Sequence, residues 1–95
     1  MAWVYMLRCA DSSYYVGSTR NLDGRLEQHA SGLGSVYTSS RLPIALVWCQ
    51  EYESVAEAYA IEKKVQGWSR VKREALIEGR IDLLPSLSRR GGRPS

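Results

Sequence analysis

Tyr5 and Tyr15, Arg25 and His29 fall close together near the start of this chain, and a carboxylate, Glu62, follows in a later helical segment. A free phenol is a weak base, with a pKa near ~10. A guanidinium or a metal beside it lowers that value and makes it a usable proton acceptor. A guanidinium also grips phosphate through paired N–H groups. These groups together suit phosphodiester chemistry better than they suit a core. Each residue alone has a plainer reading. Strand tyrosines are usually packing aromatics, an arginine beside an apolar stripe often lies along it with its head in water, and a lone histidine often serves as a structural hydrogen bonder.

Segments of recognisable type must position these groups. Residues 2–9 are apolar and β-prone, 10–13 read as a turn, and 14–19 form a second strand, so the chain opens on a β-hairpin. Gly17 inside the second strand weakens it unless a backbone or ligand must approach closely. A two-residue turn at Asp11-Ser12 would put Tyr5 and Tyr15 on opposite sheet faces, because side chains alternate with period two. An odd-length loop or a bulge is therefore expected. Asn21 caps a helix that ends near Gly32. On it Leu22, Arg25, Leu26 and His29 share one face of about 100° of arc.

Residues 32–43 read as a loop and 44–48 as a third strand. Ser54-Val55-Ala56-Glu57 is a capping box opening a helix to about Gly67, and Ser69 caps a last helix that closes at Gly79. Glu62 projects inside the apolar stripe of Val55, Ala58, Ile61 and Val65, whereas Lys63 and Lys64 project off it. A carboxylate so placed is either paired, with Arg25 the candidate partner, or is a metal ligand lining a cleft. Hard oxygen donors suit Mg²⁺ or Mn²⁺. The order β-β-α-β-α-α predicts an α+β fold, a small three-stranded, mainly antiparallel sheet flanked by three helices.

One domain over residues 1–87 is expected of 95 residues, with Leu83, Leu84 and Leu87 packing back on it and 88–95 a disordered basic tail. The net charge of +3 is carried by Arg89, Arg90 and Arg93, which leaves residues 1–88 formally neutral. Charge therefore argues little for nucleic acid. Ten arginines against three lysines fit phosphate binding or base composition of the genome equally well. Cys9 and Cys49 are expected as reduced, buried thiols, and a single histidine far from both gives no zinc spacing. No apolar run is long enough to span a bilayer and no basic leader precedes Ala2-Trp3-Val4, so a cytoplasmic location is expected.

Trp3-Val4-Tyr5, Tyr15-Val16-Gly17, the Leu22-x-x-Arg25-x-x-x-His29 helix and the later Glu62 together resemble a GIY-YIG nuclease domain over about residues 2–80. The segment Tyr37-Thr38-Ser39-Ser40-Arg41-Leu42-Pro43 is similar to that of small stand-alone bacterial members. The first motif departs from the family at Trp3 and Val4, and no asparagine follows Asn21. The resemblance implies a nuclease using one divalent cation, Mg²⁺ or Mn²⁺, bound by Glu62. Tyr5 would deprotonate or position the attacking water and Tyr15 would hold water or phosphate. Gly17 would admit the substrate, Arg25 would stabilise phosphoryl charge, and His29 would contact phosphate or shuttle a proton. Tyr37, Arg41, Lys63 and Lys64 are the expected further contacts to DNA, with RNA also open as a partner. Structure-selective cleavage in repair or recombination is the implied role. The alternative is a weakly active or inactive nucleic-acid-binding module, and a protein-interaction domain is a third possibility.

Overall fold

A computed structural model of the chain describes residues 1–83. Strand β1, Ala2–Arg8, is central in a sheet of order β2-β1-β3. Both of its faces are covered, which is why its apolar run is continuous rather than alternating. Ala2, Val4 and Met6 are buried on one face, Tyr5 and Leu7 on the other. Strand β2, Tyr14–Thr19, pairs with it antiparallel, setting Tyr5 opposite Gly17 and Leu7 opposite Tyr15. The connection is the odd loop that the tyrosines require. The Cys9 N–H donates to the Ser13 carbonyl at 2.8 Å and the Ser12 N–H to the Cys9 carbonyl at 2.9 Å, with Ser12 in the left-handed region at φ 70°. Such a three-residue loop keeps strand parity, and both phenols therefore share one face.

Strand β3, Ala45–Tyr52, pairs antiparallel with β1, with a register shift between Met6 and Leu7. It runs on through Tyr52, past the expected end at Trp48. An edge strand tolerates the polar Gln50 and Glu51, whose polarity hid this continuation in the sequence. Helix α1, Leu22–Ala30, is capped by Asn21, whose side chain accepts from the Gly24 N–H at 3.1 Å, and closes before Gly32 at φ 87°. A one-turn helix α2, Val36–Ser39, lies in the stretch read as loop, capped by Ser35. Helices α3, Val55–Gln66, and α4, Arg70–Ile77, start at the expected caps Ser54 and Ser69.

The main core joins Ala2, Val4, Met6, Val16 and Tyr52 of the sheet to Ala58 and Val65 of α3 and Leu76 of α4. Fully burying one such aliphatic side chain contributes about 1.5–3 kcal/mol. The Tyr52 hydroxyl donates to the Leu83 carbonyl at 2.6 Å, and Leu83 packs on this core. Leu84, Leu87 and the basic tail lie outside the described residues. Cys9 is buried and Cys49 half-buried, both free, and burial pushes the Cys49 thiol up from its ordinary pKa. No helix among the described residues is long and apolar enough to cross a membrane.

Candidate active site

The opposite face of the hairpin, covered by α1 and α2, carries a buried polar chain. The Tyr5 hydroxyl lies 2.9 Å from His29 Nε2, and His29 Nδ1 lies 2.8 Å from Thr38 Oγ1. Thr38 Oγ1 in turn sits 3.0 Å from Ser35 Oγ, which also accepts the Thr38 N–H at 3.1 Å. His29 and Thr38 are fully buried and Tyr5 is 1% exposed. Arg25 and His29 fall on the inward face of α1 for the spacing reason given above, but they meet different neighbours. His29 points into the protein with both ring nitrogens engaged, so the expected phosphate contact through His29 has no free atom to make it. A proton-shuttling role uses the contact it does have.

Gly17 has a specific reason to lack a side chain. A Cβ there would come within 2.5 Å of the Tyr5 hydroxyl oxygen and 2.7 Å of its Cζ. The space over Gly17 is taken by the Tyr5 phenol, which lies across β2 toward the edge of the sheet, rather than being left for the backbone or ligand expected there. Gly34 plays a matching part, since a Cβ there would collide with Nδ1 and Cγ of His29. Its absence lets the segment before α2 close onto the imidazole.

The ring of Tyr15, half-buried, stands 5.0 Å from that of His29, 6.4 Å from Tyr5 and 6.0 Å from Tyr37, centroid to centroid. Arg41 extends this row, its guanidinium 3.9 Å over the Tyr37 ring. Arg41 also pairs with Asp11 at 3.0 Å on the hairpin tip, while its carbonyl accepts the Ala10 N–H at 2.8 Å. Hydrogen bonds from Ser13 and Arg41 hold the Asp11 carboxyl below its ordinary pKa.

Glu62 reaches the same edge of β2 from the α3 side. Its carboxylate accepts from Ser18 Oγ at 2.5 Å and from Gln66 Nε2 at 2.7 Å, and its side chain is 13% exposed. The ion pair with Arg25 that the helical projection allowed is not formed; the Glu62 pairing is with Lys63, at 4.0 Å. Half-buried Arg25 has no ion pair among the described residues, yet its charge reaches Tyr5 and His29. Lys63 also lies over the Tyr59 ring at 4.9 Å, whereas exposed Lys64, about 200° around α3 from Glu62, faces away from the cluster.

Electrostatics departs from expectation at Tyr5. Burial first, then Tyr15 and Glu62, push the phenol well above its ordinary pKa, and the opposing pull of Arg25 does not offset them. The expected activation of Tyr5 by a guanidinium is thus outweighed by desolvation. Burial and then Arg25 hold His29 below its ordinary value, so the imidazole is neutral near pH 7.

A family model, the GIY-YIG catalytic domain, matches residues 1–75. The chain belongs to the GIY-YIG family. The domain is thus of the nuclease superfamily. Relatives include a UPF0213 protein of Halalkalibacterium halodurans, 43% identical over 79% of this chain and 80% of that one. A UPF0213 protein of Natronomonas pharaonis is 37% identical over 79% of this chain and 88% of its own length. The solution NMR structure of UPF0213 protein BH0048 from Bacillus halodurans superposes with a TM-score of 0.54 at 42% identity, covering 82% of this chain and 84% of that one.

GIY-YIG nucleases generally use divalent metals, and the donor set here fits one of a particular kind. Among the described residues no three His, Cys, Asp or Glu side chains converge on a metal-sized space. A site built on Glu62 would therefore offer one protein carboxylate, with waters and substrate phosphate completing the set, an arrangement that a hard cation such as Mg²⁺ accepts. Each Glu62 oxygen takes one hydrogen bond from Ser18 or Gln66 and keeps a further lone pair for a cation. Ser18, Gln66 and Ser35 carry no signal in the sequence, since hydroxyls and an amide in polar surroundings have no periodicity, and Thr38 stands out there only as part of the segment 37–43.

Proposed function

We propose that the protein is a divalent-cation-dependent endonuclease that hydrolyses DNA phosphodiester bonds, selecting substrates by structure, in repair or recombination. The observation that carries this reading is a half-buried Arg25 guanidinium, without an ion pair among the described residues, beside the Tyr5–His29 pair, with the Glu62 carboxylate across the edge of β2. A guanidinium in that position is matched to an anion, and a carboxylate oriented by Ser18 and Gln66 is matched to a cation.

In the proposed reaction Tyr5 is the base. Its raised pKa means that phenolate is not populated at neutral pH, so the phenol must lose its proton as it gains another. The Tyr5 oxygen accepts a proton from the attacking water while its own passes to His29 Nε2, 2.9 Å away. Tyr15, the more open phenol, holds the water or a phosphoryl oxygen. Arg25 stabilises the negative charge that develops on the phosphoryl oxygens. A cation bound by Glu62 would polarise the phosphate and the departing 3′-oxygen. Tyr37, Arg41 and Lys63 contact the DNA backbone, and Lys64 adds only longer-range attraction. Contacts to phosphate position a nucleic acid without reading sequence, which supports selection by shape.

Incubation of the purified protein with nicked, flapped and four-way-junction DNA, with and without Mn²⁺, tests the reading beside Arg25→Ala and Glu62→Gln. Metal-dependent cleavage by the wild type alone is expected. Cleavage surviving Glu62→Gln would overturn the metal assignment, and binding without cleavage on any substrate would favour a binding module. A matched RNA set separates the two nucleic acids.

A further inference from the structure

We propose that Thr38, backed by Ser35, selects the His29 tautomer protonated on Nδ1 and thereby makes Nε2 the acceptor of the Tyr5 phenolic proton. The catalytic half of this inference rests on the proposed hydrolase reading, whereas the tautomer itself does not.

The direction of the chain follows from counting protons. Among the described residues the hydrogen-bond partner of the Tyr5 hydroxyl is His29 Nε2. If Nε2 carried the proton, it would donate to the phenol oxygen, and before substrate brings the attacking water to that oxygen the phenol's own hydrogen would have no acceptor among the described residues, in a residue only 1% exposed. A buried donor left unmatched forfeits its hydration with nothing in return. The phenol therefore donates to Nε2, and a neutral imidazole accepting at Nε2 carries its hydrogen on Nδ1. Nδ1–H then donates to Thr38 Oγ1 at 2.8 Å. Thr38 turns its own hydrogen to Ser35, where Oγ at 3.0 Å and the carbonyl oxygen at 3.5 Å are the acceptors. Back-donation to a preceding carbonyl is the usual habit of a helical threonine.

This polarity suits the proposed step without any hydroxyl rotation. The O–H bond of Tyr5 breaks as an N–H bond forms at Nε2, and the Tyr5 oxygen takes a proton from the water whose oxygen bonds to phosphorus. The imidazole becomes a cation with hydrogen on both nitrogens, and Thr38 Oγ1 accepts from Nδ1–H before and after. The charged group facing this imidazole is Arg25, and the phenols of Tyr5 and Tyr15 are its other titratable neighbours. Thr38 touches no reacting atom and acts as a positioning residue. Gly34 makes its approach to the ring possible.

The chain contains a single histidine, so a ¹⁵N-histidine-labelled sample yields one pair of ring resonances. At pH 7.5 the wild type and Thr38→Ser are expected to show a protonated Nδ1 and an unprotonated Nε2. Thr38→Val, which keeps shape but loses the acceptor, is expected to move population to the Nε2–H form. In cleavage assays Thr38→Val should lower kcat by at least about tenfold with KM little changed, and Thr38→Ser should restore it. A wild-type Nε2–H tautomer, or an unchanged tautomer in Thr38→Val, would overturn the assignment. A shifted tautomer with unchanged kcat would overturn its catalytic role. If no variant or wild type cleaves DNA, the hydrolase reading fails while the ring resonances still decide the tautomer. Should Thr38→Val not fold, as judged by its amide spectrum, the wild-type resonances decide the tautomer and Ser35→Ala supplies the perturbation, with partial loss of the Nδ1–H form expected.

Discussion

Gly17→Ala is the smallest change that tests where the Tyr5 phenol lies. The added Cβ would stand 2.5 Å from the hydroxyl oxygen, where ordinary contact begins at 3.4 Å, so the oxygen must retreat by about 0.9 Å. The 2.9 Å bond to His29 Nε2 cannot absorb that movement. Displacement toward the ring takes it below the ~2.7 Å floor for such bonds, and displacement elsewhere carries it toward or past their upper limit. Tyr15 offers no relief, because its ring carbon would be 3.2 Å from the same Cβ. Overpacking of this kind costs about 1–3 kcal/mol, and the better strand propensity of alanine returns about 0.5–1 kcal/mol. The central values leave a net loss of about 1 kcal/mol, which lowers Tm by roughly 4–8 °C in a domain of this size. Displacing a reacting group by about 1 Å should also reduce cleavage by about 10²-fold. Thermal melts followed by circular dichroism, with single-turnover cleavage on the best DNA substrate, measure both. A Tm and a rate indistinguishable from wild type would refute the packing of Tyr5 over Gly17 and with it the geometry of the proposed site.

Tyr5→Phe removes the donor to His29 Nε2 and should destabilise the fold by about 1–3 kcal/mol in urea titration, while cleavage falls to background. His29 is held below its ordinary pKa in the fold, so the unfolded chain takes up its proton more readily. The stability this contributes is complete above about pH 6.5 and is lost as pH falls toward the folded value; Tm measured between pH 7.5 and 5, above most carboxylate titration, should decline over that range. Arg41→Ala breaks a solvent-screened pair with Asp11, and such pairs add little stability, so Tm should move little. The same variant should weaken DNA binding and reduce the slope of log Kd against log salt by about one, as read by fluorescence anisotropy.

Much of this molecule was written locally. The caps Asn21, Ser54 and Ser69, the stop at Gly32, and the parity argument for an odd hairpin loop all depend on near neighbours and period, and each is met in the structure. So is the inward placement of Glu62, because a helix carries its angular order wherever it packs. What near neighbours do not encode is which groups meet across elements. Glu62 finds Ser18 and Gln66 rather than Arg25, α2 forms on the cap of Ser35 where loop residues were read, and β3 runs on through polar residues because it is an edge strand. The chemistry turned most on that tertiary step. In sequence Tyr5 and His29 were two candidates beside an arginine; folding buries them against each other, raises one pKa, lowers the other, and makes them a single proton-handling unit. Desolvation depends on everything that surrounds a group, so no spacing rule along the chain could have supplied it.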